Sequence, residues 1–138
     1  MRIVFLMMIF VSVSANADGQ AEYKYREGVM QAIRGQIASI GAIARGQVHQ
    51  ENMAMHARAM SDLARVLPDV FPEGSDVGKS EALPEIWSDP EGFRVETDLF
   101  IEVTGAFLEA AENDGDVSGT LRRVQRSCKS CHDGFRED

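Results

Sequence analysis

The sequence has no basic run, no Gly-rich phosphate loop and no low-complexity tract. With a net charge of −8 at pH 7, those absences argue against nucleic acid and anionic membrane as partners. No stretch alternates apolar and polar residues as a half-buried strand would, which points to an all-α fold. No acid–base pair or nucleophile constellation is present, so the chain itself supplies no enzyme chemistry. Cysteine occurs only twice, at Cys128 and Cys131. A disulfide between them would be strained within one helical turn. Together with His132 they offer three zinc ligands where a structural site needs four, and there is no second cluster. The one long apolar run, Ile3 to Val13, is too short to span a bilayer.

That run reads instead as the core of a secretory signal over residues 1–17. Met1-Arg2 supplies the positive end, and Ala15-Asn16-Ala17 is a small-residue cleavage site. The expected mature chain is a single domain over residues 18–138, exported to a bacterial periplasm and free of the membrane once the leader is removed. Loss of Arg2 takes its net charge from −8 to −9.

Helical periodicity carries the rest. From Ala21 to Arg45, the residues Met30, Ile33, Ile37, Ile40 and Ala44 form one stripe, closed by Gly46. Gly28, Gly35 and Ala42 fall seven apart in the same segment. This spacing suits either a close helix–helix approach between protomers or simple tolerance of small residues. A second helix runs from Glu51 to Leu67, with Met53, His56, Met60, Leu63 and Leu67 on one face, until Pro68 stops it. Residues 68–89 form the one long connection. The third helix begins at Ser88-Asp89-Pro90-Glu91, capped either by Ser88 in a capping box or by Asp89 ahead of Pro90. Its inner side is Phe93, Phe100, Val103, Phe107 and Ala110, and Asn113-Asp114-Gly115 breaks it. The last helix carries Val117, Leu121, Val124, Cys128, Cys131 and Phe135 on its stripe. These elements predict an antiparallel four-helix bundle with one long crossover between helices two and three.

Cys128-Lys129-Ser130-Cys131-His132 is an attachment signal for c-type haem. Each thiol adds to one vinyl group of the porphyrin. Three residues of helix rise about 4.5 Å and turn through about 300°, so both sulfurs project from one side. The next residue, His132, is then placed as the proximal iron ligand. Because the cysteines continue the apolar stripe, a group fixed to them points into the bundle. Attachment after export agrees with the leader.

With the motif at the C-terminus, preceded by Tyr25-Arg26, Met30 and Pro84-Glu85-Ile86-Trp87, the chain from Tyr23 to Arg136 resembles the cytochrome c′ family, the class II c-type cytochromes. The resemblance implies one covalently bound haem c inside the bundle and a homodimer packed through helices one and two. It also implies a five-coordinate, high-spin iron that binds nitric oxide and carbon monoxide but not dioxygen. An apolar pocket without a hydrogen-bond donor suits the first two ligands and not the third. Met30 matches the family position on the vacant side of the iron. There it either packs over the metal, the reading preferred here, or ligates it, giving a low-spin electron carrier. Glu27 and Glu81 stand at family positions near the haem edge, and Arg136 at that of the proximal arginine.

Elementary chemistry adds roles and alternatives. Arg26 either pairs with a haem propionate or is a surface charge. Arg136, four after His132, shares its face if the helix continues. His56 reads as a histidine satisfied by a hydrogen bond. Arg122, Arg123, Arg126, Lys129 and Arg136 make a local positive patch that either neutralises propionates, meets an acidic redox partner or is merely solvated. The sequence departs from close relatives in having Phe135 where many have tyrosine, and Asp69 after Pro68, with the nearest aromatic at Phe71. That leaves open what closes the distal pocket.

Overall fold

The computed structural model describes residues 15–137. The leader expected over residues 1–17 lies outside them except for its last three residues, where the backbone is already helical. Five helices follow one another: α1 (Ala15–Gly46), α2 (Met53–Ala64), the single turn α3 (Glu85–Ser88), α4 (Pro90–Glu112) and α5 (Val117–Phe135). Helix α1 packs on α2, α2 on α4 and α4 on α5, the short α3 bracing the crossover against α4. Between α5 and α1 there is no comparable packing. The four long helices therefore make a bundle with one open side, as in the antiparallel arrangement expected, and residues 65–84 cross over its end.

Burial follows the stripes with one shift. Ile40, Met60, Phe107 and Val124 are fully enclosed, joined by Phe100, Val103 and Leu121. Each such side chain contributes about 1.5–3 kcal/mol relative to exposure. On α1 the stripe turns at its end: Ile43 is buried and Ala44 exposed, so Ala44 is not a core residue. A straight helix drifts relative to a fixed alternation of threes and fours, which moves the buried side from Ala44 to Ile43.

The helix ends settle the open choices. At α4 the cap is Asp89, whose Oδ1 accepts the Gly92 N–H at 3.0 Å with Pro90 in the first turn, so the Ser88 capping box does not form. At α5 Asp116 plays the same part, accepting from Gly119 N–H at 2.7 Å. Helix α1 does end at Gly46, but the left-handed residue is Gln47 at φ 50°, whose N–H returns to Ile43 O at 2.9 Å. A residue with a Cβ in that conformation costs about 1 kcal/mol, so the glycine stands one place early. Gly19 has a stricter reason to be glycine. A Cβ there would sit 2.4 Å from the Gly74 carbonyl oxygen, so the start of α1 can lie against the crossover only with glycine at this position.

The crossover is held by one side chain. Arg26 is 4% exposed, and its guanidinium donates to Val70 O (3.2 Å), Ser75 Oγ (2.8 Å), Ser75 O (2.9 Å) and Ser80 Oγ (3.4 Å). It also lies over the Phe71 ring at 4.9 Å and near the Tyr23 ring at 5.7 Å. The surface-charge reading of Arg26 is thereby overturned. Phe71 continues the contact edge-on to Phe93 (4.9 Å), and Phe93 to Phe135 (5.3 Å). This row of rings ties α1, the crossover, α4 and α5 together at one end of the bundle.

Candidate haem site

Helix α5 presents Cys128 and Cys131 as half-buried free thiols on the side that continues Leu121 and Val124. Burial pushes both thiols above their ordinary value. Cys131 reaches about 11, with the negative charge of Glu96 and then Cys128 adding to the desolvation. Both are therefore S–H groups at neutral pH, the form that adds across a double bond with its own proton, and poor thiolates for disulfide exchange. Among the described residues no three His, Cys, Asp or Glu side chains converge as a metal site would require.

His132 is exposed on the next position of α5. Partial burial lowers its pKa, and the positive charge of Arg136 lowers it further, with Asp133 and Glu81 opposing and Arg34 adding a small push downward. The imidazole is thus held neutral near pH 7, as a metal ligand must be. On α1, Met30 is half-buried against the core with Ile33 and Ile37. The two thiols and the imidazole thus stand on α5 and the half-buried apolar side chains on α1, two helices that do not pack closely on each other. That donor set fits a covalently attached haem.

The other two histidines are occupied elsewhere. His56 Nδ1 is 2.7 Å from Gln36 Oε1, the hydrogen-bonded state expected of it, and His49 lies in the α1–α2 turn, 3.7 Å from Glu51.

The proximal end differs from expectation at Arg136. Helix α5 stops at Phe135, and Arg136 is extended (φ −134°, ψ 137°), so it does not share a helical face with His132. Its side chain reaches back instead to Glu81, with Nε 2.8 Å and Nη2 2.6 Å from the same carboxylate oxygen. The backbone repeats the contact: Leu83 N–H donates to Phe135 O at 3.1 Å and Glu137 N–H to Glu81 O at 2.7 Å. Glu81 and Arg136, 55 residues apart, are thus brought together directly beyond the attachment motif. Glu27 is exposed on α1 with no partner among the described residues. Of the basic patch, Arg123 pairs with Glu102 (3.1 Å) and Lys129 with Asp133 (2.5 Å), leaving Arg122 and Arg126 as its unpaired cations among the described residues. Phe71, the aromatic nearest Pro68, lies over Arg26, and Trp87 Nε1 donates to the Phe71 carbonyl at 3.1 Å.

A four-helix bundle opened along one side, with paired thiols and an imidazole in the last turns of its last helix, defines a class of protein: the helical-bundle c-type cytochromes. A family model described as cytochrome c′ matches residues 21–136, and the chain belongs to that family. It is 32% identical over 132 residues to a cytochrome c′ of Rhodospirillum rubrum, covering 92% of this chain and 89% of that one. It is also 32% identical over 119 residues to a cytochrome c-554 of Cereibacter sphaeroides, covering 81% and 78%. Among solved structures, the cytochrome c′ of Shewanella frigidimarina superposes with TM-score 0.80 at 25% identity, covering 87% and 97%. The fold is shared as well with a nitric oxide complex of a cytochrome c′ variant from Alcaligenes xylosoxidans, TM-score 0.79 at 22% identity, covering 87% and 97%. As a member of the family the chain is a c-type cytochrome carrying one covalently bound haem c.

Proposed function

We propose that the mature chain is a periplasmic mono-haem cytochrome c′ with five-coordinate, high-spin iron, which takes up nitric oxide or carbon monoxide and serves to scavenge or buffer nitric oxide. The observation that carries this is the asymmetry of the open side. The other two histidines are engaged elsewhere, and the half-buried side chains of this part of α1 are Met30, Ile33 and Ile37 rather than a second histidine. When bound, the haem iron supplies the site for the diatomic ligand. The chain's own part is to hold a neutral imidazole at His132, anchor the ring through Cys128 and Cys131, and keep the Met30 side dry and apolar. Glu27 on α1, with Glu81 and Arg136 beyond the attachment motif, are the polar groups left to border the haem, Arg26 being committed to the crossover. The nitric oxide complex of a cytochrome c′ variant on the same fold supports the ligand assignment. No described helix is long and apolar enough to cross a membrane.

The second reading rests on the same methionine. Met30 is the one soft donor on the wall facing α5, and a thioether bound to iron would make the protein a low-spin electron carrier. Spectra of the oxidised, reduced and carbonyl forms separate the two. Five-coordination predicts ready carbon monoxide binding to the reduced protein and no thioether–iron charge-transfer band, with Met30→Leu leaving the oxidised spectrum high-spin as before. A charge-transfer band that Met30→Leu abolishes would establish the carrier instead.

We further propose that two copies pack through α1 and α2. Gly28, Gly35 and Ala42 lie exposed along α1, and a Cβ added at either glycine would meet nothing within 4 Å in the monomer. Gly35→Leu should therefore shift the sedimentation mass from dimer to monomer. An unchanged dimer would remove this seam from the interface.

A further inference from the structure

Glu96 is the one acid of α4 that the bundle half-buries, Glu91, Asp98, Glu102, Glu109 and Glu112 all being exposed. Its Oε1 accepts the Ser130 hydroxyl at 2.8 Å, while Oε2 is enclosed with no donor in reach. One turn earlier on α5, Ser127 is 3% exposed and its Oγ also lacks a partner. The seam of α4 and α5 thus sets a carboxylate and two hydroxyls alongside the attachment turn, since Ser127 and Ser130 each immediately precede a haem cysteine. Of the neighbouring cations, Arg126 lines the same seam as Ser127 and Ser130 but makes no ion pair with Glu96, and two others are committed elsewhere. Arg94 is held by Glu91 (2.6 Å) and Asp98 (2.7 Å), and Arg123 by Glu102 (3.1 Å). Among the described residues Glu96 has no ion-pair partner, and its bond to Ser130 sets the carboxylate one residue from the Cys131 attachment point. Enclosing a carboxylate oxygen without a donor is costly to the fold.

We propose that Glu96 sets the reduction potential of the attached haem, its fixed negative charge beside the Cys131 attachment point favouring the ferric over the ferrous state. The couple takes one electron from an external one-electron donor and no proton, so the charge of the haem core falls by one. A neighbouring anion that is only half screened by water opposes that step. The Ser130 hydroxyl is the positioning group, holding the carboxylate against α5 rather than letting it turn to solvent. The assignment holds whether or not Met30 binds the iron, and requires only that the haem is attached.

The test is a redox titration of the holoprotein in the presence of mediator dyes, after a pyridine haemochrome assay has confirmed one haem per chain. Glu96→Gln should move the midpoint to a more positive potential. Glu96→Asp should stay near the parent, and Glu102→Gln, an exposed and already paired acid of the same helix, should move it far less. An unchanged midpoint in Glu96→Gln, or an equal shift in Glu102→Gln, would overturn the proposal. Should Glu96→Gln fail to mature, Ser130→Ala carries the test, because releasing the carboxylate should also raise the midpoint and no rise would refute the assignment. A chain without haem in the parent protein would defeat the cytochrome reading itself, an outcome separate from these.

Discussion

Replacing Cys128 and Cys131 together by Ala should give a chain without covalent haem: colourless after acid–acetone extraction, negative in the pyridine haemochrome assay, and with the mass of the unmodified polypeptide. The expectation follows from two properties of α5. The thiols are the only two in the chain, and they project one turn apart into the side of the bundle where α1 and α5 leave a gap. Without the haem to cover them, Met30, Ile33 and Ile37 keep water-facing edges, so the variant loses that apolar burial and should also melt well below the holoprotein. His132→Gln makes the contrasting case. It leaves both thioethers available, so the haem should remain covalently attached with its mass intact, while the axial nitrogen is gone and the oxidised and reduced spectra change. Retained colour in the double cysteine variant after extraction, or an unaltered spectrum in His132→Gln, would refute the roles assigned to these residues.

What the sequence discloses of this site is what lies within a turn or two of helix. The spacing of Cys128, Cys131 and His132, the stripe on which the cysteines fall and the pairing of α1 with α2 are all properties of neighbouring residues in a periodic element. Local choices between near-equal alternatives are not disclosed. Either Ser88 or Asp89 serves as a cap on paper, and only the placement of Pro90 inside the first turn of α4 decides for Asp89. The same holds where a helix ends. Arg136 shares a face with His132 only if α5 continues one residue further, and the antiparallel bridge of Ala82 with Arg136 stops it. Least legible are contacts made by the aperiodic crossover. Glu81 with Arg136 and Arg26 with Ser75 join residues 55 and 49 apart, and one partner in each pair sits in a stretch with no pattern to read. The contact of Glu96 with Ser130 was equally hidden, since on α4 it looks like one more acid on a solvated face.

Arg26 is where that hidden layer should show most in experiment. Arg26→Met keeps the length and apolar stem of the side chain but removes the guanidinium donors from Val70 O, Ser75 Oγ and Ser75 O, of which Ser75 O keeps the Val77 N–H at 3.0 Å. An enclosed acceptor left without a donor costs about 1–3 kcal/mol, and the loop can turn some of these groups to water, so a loss of about 2–4 kcal/mol is expected. For a domain of this size that is a fall of about 10 °C in melting temperature. Arg26→Lys should lie between, because a single ammonium cannot serve carbonyls on two sides or stack flat on Phe71. A loosened crossover should be felt beyond its own residues, since the same segment carries Glu81 and the amides that clamp the chain after His132. Hydrogen exchange at the Leu83 and Glu137 amides should therefore accelerate in Arg26→Met, while amides in the middle of α4 keep their protection relative to global unfolding. If instead the melting temperature stays within a degree or two of the parent and those two amides exchange as before, the guanidinium is not what fastens the crossover to α1. If stability falls while the Leu83 and Glu137 amides keep their protection, the fastening is local to residues 70–80 and does not reach the haem-binding end of α5.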